Sequence, residues 1–469
     1  MVGVGERALP AGVKRVLVLG AGRSGSAAAR ALSRRGLSVV LSDSKAEAEV
    51  QDLASLRGWQ IEVVLGPQGE TQLDGVDLVV KSPGIPETAA IVQAVRRRGL
   101  TLYSEVELAF RLVPNPFCAI TGTNGKTTTT ALLGHMFATA GRPMRVVGNI
   151  GVALSSVIDE AEAEAELVTE LSSFQLEDVH AFRPEVGILL NLTQDHLDRH
   201  GTMEHYLEIK GRMFQKQGPA DVAVLNAADG WVREFGQALA ARTDPPRVMY
   251  FSTAGPQGAE SWLEDDRLHV LGRPSLSVGR LQLRGPHNME NCLAAASAAL
   301  LRGLSLEAVE EALRTFAGVE HRLQKAGNVR GVEYVNDSKA TNVEAALKAL
   351  GAYPRGVHLI LGGRDKASDY EPLARACAGG CVSVYLIGEA APLIRAAFAE
   401  VEKSGVPRLP VLLDMGDLER AVAVAAARAQ RGEVVLLAPA CASFDQYRSF
   451  EERGDHFMRL VAQQAKRAG

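Results

Sequence analysis

Twice in this chain a short aliphatic run passes into a glycine-rich loop and then straight into a helical stretch, and this constrains the fold more than any other feature. The first instance is Val16-Leu-Val-Leu19 followed by Gly20-Ala21-Gly22-Arg23-Ser24-Gly25; the second is Phe117 to Ile120 followed by Thr121-Gly122-Thr123-Asn124-Gly125-Lys126-Thr127-Thr128. Strand–loop–helix units repeated along a chain build parallel sheets, because parallel neighbours need a long crossover that a helix supplies. Further apolar runs predict strands at 38–41, 77–80, 166–171, 186–192 and 221–225. A helix from Ser24 to Arg35 is stopped by Gly36, and others are expected at 127–140 and near 288–302. Pro114-Asn115-Pro116 breaks the chain before the second glycine loop. The Gly-, Pro- and Ser-rich region 243–285, with its alternating run Leu276 to Leu283, predicts antiparallel hairpins. Strand–helix alternation then restarts with runs at 331–335, 357–361, 382–387, 411–413 and 433–438. At about 150 residues per domain, 469 residues suggest three α/β domains. Their expected limits are 1–104, 105–318 and 319–469.

Composition excludes several classes. With 46% hydrophobic and 23% charged residues the chain is globular rather than disordered. The net charge of −4, from 51 basic and 55 acidic residues, leaves no basic field for nucleic acid. No apolar stretch reaches the length of about 18 residues that a membrane span needs, and residues 1–12 lack the apolar core of a signal peptide. Five scattered cysteines form no disulfide framework, and the spacing of Cys377 and Cys381 has no neighbouring Cys or His to complete a metal site. A cytoplasmic monomer acting on small molecules, with no nucleic acid and no membrane, is expected. The acidic run 159–166 reads as a solvated helix face or loop.

The first loop, with Asp43 ending the next strand, has the spacing of a dinucleotide site: glycines allow close backbone approach, and the helix N-terminus favours a diphosphate. The second departs from the strict phosphate-loop pattern, since Ile120 stands where its first glycine would be. It keeps the successive N–H groups, Lys126 for the β- and γ-phosphates, and a hydroxyl at Thr127 for Mg²⁺. A dehydrogenase has no use for this second loop. Glu170, at the end of one predicted strand, and His196, at the end of another, are candidate metal ligands, because strand C-termini gather around ligands in such units.

Glu170-Leu-Ser-Ser-Phe-Gln-Leu-Glu177, Asp195-His-Leu-Asp198, His287-Asn-Met-Glu-Asn291, His321-Arg322, Asn336-Asp-Ser-Lys-Ala-Thr-Asn342 and Pro439-Ala-Cys-Ala-Ser-Phe-Asp-Gln446 follow Gly122-Thr-Asn-Gly-Lys-Thr127 in order. With this ordered set the chain resembles the Mur ligases, and among them the branch that adds D-glutamate to UDP-N-acetylmuramoyl-L-alanine. The resemblance implies an ATP-dependent amide ligase of peptidoglycan precursor synthesis that works through an acyl phosphate. It implies a Rossmann-like N-terminal domain binding the UDP of the substrate, a central ATP-binding domain, and a Rossmann-like C-terminal domain for the amino acid. By carry-over, Arg23, Ser24, Asp43, Ser44, Ser82, Pro83, Gly84, Asn149 and His196 face the UDP substrate. Gly122, Thr123, Asn124, Gly125, Lys126, Thr127, Thr128, Asn288, Asn291, Arg322 and Asp337 face ATP. Lys339, Thr341, Lys366, Ser443 and Phe450 face D-glutamate. Two Mg²⁺ ions are implied, one on Thr127 and Glu170, the other on His196 and Lys210, with Lys210 carrying CO₂ as a carbamate. Lys126, Glu170, His196 and Lys210 are the catalytic set. Arg364 is given no role.

Overall fold

The protein is described from a computed structural model, which covers residues 7–468 apart from 48–49, 51–52, 150–151, 284 and 366–367. Three sheets carry the chain. The first is parallel throughout, with strands β1 (Arg15–Leu19), β2 (Ser38–Asp43), β3 (Ile61–Leu65), β4 (Leu78–Lys81) and β5 (Thr101–Ser104) in the order β3-β2-β1-β4-β5. The order reverses at β1, so the C-terminal ends of β1 and β4 open a crevice at the first glycine loop.

The second sheet has nine strands: β6 (Phe117–Thr121), β7 (Met144–Gly148), β8 (Glu166–Glu170), β9 (Val186–Leu189), β10 (Val222–Asn226), β11 (Arg247–Ser252), β12 (Ser261–Glu264), β13 (Arg267–Val270) and β14 (Arg273–Ser277). Their order is β14-β13-β12-β11-β10-β9-β6-β8-β7. The expected hairpins in 243–285 are real for β12, β13 and β14, which pair antiparallel, whereas β11 runs parallel to its neighbours. The alternating run stops early: only Leu276 and Ser277 lie in β14, and a 3-10 turn follows. Buried residues from one face of the first sheet run into those of the second sheet as one core, while Leu17, Leu19, Val40, Val79 and Leu102 on the other face belong to a separate one. The rings of Phe110, Phe117 and Phe182 meet at centroid distances of 5.5–5.9 Å where the sheets join. The helix Glu105–Leu112 crosses this junction with Glu107 fully buried. That carboxylate accepts the backbone N–H groups of His180, Ala181 and Phe182 and the Arg111 guanidinium, so its burial is compensated.

The third sheet runs β15 (Gln324–Val329), β16 (Val332–Asn336), β20 (Val434–Leu437), β17 (Val357–Gly362), β18 (Cys381–Ile387), β19 (Val411–Gly416), with only β15 antiparallel. The chain divides into two compact units, residues 1–316 and 317–469. All five cysteines are buried and unbridged. Residues 159–164 of the acidic run form a loop of turns and a bend, but Glu166 is a correction: it is buried in β8 and accepts the Arg302 guanidinium through both oxygens. No helix among the described residues is long and apolar enough to cross a membrane.

Candidate active site

At the first glycine loop the backbone of Gly25 lies against that of Gly20, and a Cβ on Gly25 would stand 1.8 Å from the Gly20 carbonyl oxygen. Only glycine lets the helix Arg23–Arg34 start there. Asp43, ending β2, accepts the Ala21 N–H at 2.8 Å and the Lys45 N–H at 3.0 Å. Ser82 follows β4 and bonds back to Leu19, which brings Ser82, Pro83 and Gly84 beside the loop. Arg23 and Ser44 are exposed at its rim, and the Ser24 carbonyl accepts the Ser155 hydroxyl at 2.8 Å. The predicted UDP-side residues of the first sheet are therefore brought together.

The second loop is built more tightly. Gly125 caps the helix Lys126–Thr139 at φ 84°, a left-handed conformation, and a Cβ there would meet Asn291 Oδ1 at 2.3 Å. Asn291, buried on the helix Pro286–Leu301, also accepts the Thr129 hydroxyl and donates to Asn288. The loop backbone is held from the far side by the segment after β9: Asn191 accepts the Asn124 N–H and donates to the Asn124 carbonyl, and Thr123 and Thr193 exchange bonds. Asn191 falls in the run 186–192 predicted as a strand and has no role in the sequence reading; its side-chain amide satisfies a backbone donor and a backbone acceptor of a residue distant in sequence, which no local pattern shows.

Two lysines converge on this loop. Lys126 Nζ donates to the carbonyls of Gly122 at 2.9 Å and Thr123 at 2.8 Å, and Lys210 Nζ donates to the same Gly122 carbonyl at 2.9 Å. Lys210 lies on the helix Met203–Gly211 and is buried. Burial, and then the Lys126 charge, hold its amine well below the ordinary lysine range, against a smaller opposing pull from Asp195. Glu170 ends β8 in register with Ile120 of β6. Its Oε1 accepts the side-chain amide of Asn149 at 2.8 Å, while its buried Oε2 has no hydrogen-bond partner among the described residues. An unpartnered carboxylate oxygen beside a phosphate-type loop suits a hard cation. Thr127 is buried in the first turn of the adjoining helix. His196 caps the short helix Leu197–His200 at φ 51°, its ring 4.9 Å from that of Phe174 and 3.6 Å from Asp195 Oδ2. Among the described residues no cluster of three or more His, Cys, Asp or Glu side chains is preformed around a metal.

In the second compact unit, Asp337 follows β16. Burial raises its carboxyl to about 6, opposed by the Leu323 N–H and by the Arg322 and Lys339 charges. Lys339 lies over the Phe450 ring at 5.9 Å, and the Thr341 N–H bonds back to the Lys339 carbonyl. Ser443 is buried beyond β20, and Arg364 pairs through its backbone with Ala442. Lys366 lies outside the described residues. Arg453, only 1% exposed, joins these segments: it donates to the Ser338 hydroxyl and to the carbonyls of Ser338 and Cys441. Sequence reasoning passed it over. The cue was Gly454, where a Cβ would stand 2.1 Å from His321, marking a helix packed too closely for an exposed arginine.

Comparison with known proteins covers nearly the whole chain. The family model for the Mur ligase MurD-like N-terminal domain matches residues 14–104, that for the Mur ligase middle domain residues 120–299, and that for the Mur ligase glutamate ligase domain residues 321–441. The UDP-N-acetylmuramoylalanine–D-glutamate ligase of Acidobacterium capsulatum is 43% identical over 456 residues, with 96% of each chain covered. The ligase of the same name from Koribacter versatilis is 41% identical over 97% of this chain and 98% of its own. Among solved structures, the UDP-N-acetylmuramate–alanine ligase of Thermotoga maritima shares the fold with a TM-score of 0.58 at 18% identity, over 97% of this chain and 100% of its own. Three domains matched in order, two glycine loops built as described and relatives above 40% identity end to end make this chain a member of the Mur ligase family.

Proposed function

We propose that the protein is an ATP-dependent amide ligase that joins the amine of D-glutamate to the L-alanyl carboxylate of UDP-N-acetylmuramoyl-L-alanine in cytoplasmic peptidoglycan precursor synthesis. The glycine loop that holds Lys126, with the unpartnered Glu170 carboxylate oxygen at the end of the adjacent strand, carries this reading, because transferring a phosphoryl group to a carboxylate brings two anions together and needs cations there, here Lys126 and Mg²⁺. The names borne by near full-length relatives support the choice of substrates.

In this reading the substrate carboxylate attacks the γ-phosphorus of ATP and ADP leaves. The D-glutamate amine then adds to the acyl phosphate carbonyl, and phosphate departs from the tetrahedral intermediate as the amide forms. The first loop, with Arg23, Ser24, Asp43, Ser44 and Ser82 to Gly84, holds UDP, joined by Asn149 and His196. The loop 122–128, Asn288, Asn291, Arg322 and Asp337 hold ATP. Lys126 turns from the loop carbonyls to the transferring phosphoryl. Lys339, Thr341, Lys366, Ser443 and Phe450 serve D-glutamate, whose two carboxylates need cations and hydroxyl donors. Thr127 and Glu170 would hold one Mg²⁺ ion, and His196 with Lys210 the other; bound Mg²⁺ neutralises charge on the reacting oxygens. The neutral amine is the form that adds CO₂, and burial shifts Lys210 toward it; as a carbamate Lys210 would offer oxygen to a hard cation where an ammonium could not. The domain limits near residues 104 and 318 belong to the same proposal.

The chemistry is tested with substrate carrying ¹⁸O in the alanyl carboxylate. An acyl phosphate intermediate sends one ¹⁸O per turnover into the released phosphate. Phosphate free of label overturns the mechanism.

A further inference from the structure

Glu177 touches none of the residues assigned above, yet it is bonded to three of the segments that carry them. Its carboxylate is 11% exposed and receives the Arg199 guanidinium on both oxygens, Nε to Oε1 at 2.7 Å and Nη2 to Oε2 at 2.5 Å. Oε2 also accepts Lys81 Nζ at 3.2 Å. Its backbone carbonyl accepts a guanidinium N–H of Arg212.

Each of these cations adjoins a different working segment. Lys81, 1% exposed, is the last residue of β4, immediately before Ser82-Pro83-Gly84, and its other partners are Asp178 at 2.8 Å and Glu87 at 3.6 Å. Arg199 lies one helical turn beyond His196 and donates its own N–H to the His196 carbonyl. Its guanidinium lies 4.1 Å from the Phe174 ring centroid, and the same ring lies 4.9 Å from that of His196. Arg199 Nη2 also reaches the Ile85 carbonyl at 3.4 Å, just beyond Gly84. Arg212 follows Lys210 by two residues. One carboxylate therefore binds the edge of the first sheet's crevice to the His196 helix, and its carbonyl holds the end of the Lys210 helix.

A buried ion network of this kind adds little net stability over apolar packing, while two-point guanidinium binding fixes geometry closely. His196 needs such fixing: it sits at a positive φ that a non-glycine residue adopts only under constraint. We propose that Glu177 is a positioning residue for the ligation, setting His196 and the Ser82–Gly84 loop in register so that the substrate carboxylate lies in line with the γ-phosphoryl. This rests on the function proposed above.

The test compares Glu177→Gln, Arg199→Lys and Lys81→Met by steady-state kinetics and thermal melting. Displacement by about 1 Å costs on the order of 10²-fold in rate. Glu177→Gln keeps the side-chain shape, and it should lower kcat by about 10- to 100-fold and also raise KM for the UDP substrate, with KM for D-glutamate unchanged. Arg199→Lys should act mainly on kcat and Lys81→Met mainly on that KM. Glu177→Asp, which keeps the charge, should recover part of the loss. Kinetics that stay normal overturn the proposal, as does a uniform loss of activity that merely tracks a fall in Tm without the KM-against-kcat split. Wild-type protein that releases no phosphate with D-glutamate refutes the function itself, whereas active wild type with unaltered variants refutes only the positioning role.

Discussion

Lys126 and Lys210 share one acceptor, the Gly122 carbonyl, and their roles separate under substitution. In the proposed mechanism Lys126→Ala would remove a cation from the transferring phosphoryl, and it should lower turnover by about 10²–10³-fold in a folded protein. Lys210→Ala should also lose most activity, and acetate should restore part of it by returning a carboxylate to the vacated space; full activity in CO₂-depleted buffer would refute the carbamate. Asp337 offers a test by stability. Its buried carboxyl titrates near 6, against an ordinary 3.8, so between those values the folded chain holds a proton that the unfolded chain has released. Stability from this group is thus highest at low pH and falls as pH rises through that window. In ligand-free protein, Asp337→Asn should therefore stabilise at about pH 7.5 by on the order of 2 kcal/mol and give little gain at about pH 4, read from urea melts. At this scale the sequence was least legible. Lys210, alone in Tyr206-Leu-Glu-Ile-Lys210, has the pattern of a surface helix lysine, and only the family resemblance singled it out. Its burial comes from packing against a loop 88 residues away, which no local period encodes.

Loops and strands were far more legible, because their signals are local. Both glycine loops lie after strands and before helices as expected, and the steric need for Gly25 follows from the Gly20 carbonyl. Gly25→Ala should abolish binding of the UDP substrate in calorimetry and cost about 1–3 kcal/mol by forcing the loop apart; unchanged affinity would detach this loop from UDP. The strands that were missed share a cause. β3 is a sheet edge whose residues are half-exposed, and β15 is an antiparallel edge interrupted by Gly327, so neither shows a clean apolar run. β5 is only four residues long, and β7, at another edge, has one buried residue, Val147, with Arg145 exposed and the rest half-buried. Glu166 read as solvated because its partner, Arg302, is 136 residues distant.

Across the whole molecule, α/β class and three sheets were legible from alternation, while strand order was not, since crossover direction and edge position depend on long-range pairing. The β12–β14 extension of the central sheet and the pairing of β16 with β20 are examples. The central claim is one of acceptor choice. In the proposed site D-glutamate would present its two carboxylates to the donors of Lys339, Thr341, Lys366 and Ser443, and an acceptor that misplaces one would leave donors unpaired, a cost that discriminates steeply. The most direct measurement is phosphate release with ATP, Mg²⁺ and UDP-N-acetylmuramoyl-L-alanine against a panel of amino acids. The account predicts release that depends on D-glutamate, with L-glutamate, lysine and diaminopimelate poor. Equal turnover with lysine or diaminopimelate, or saturable NAD binding that competes with the UDP substrate, would contradict it.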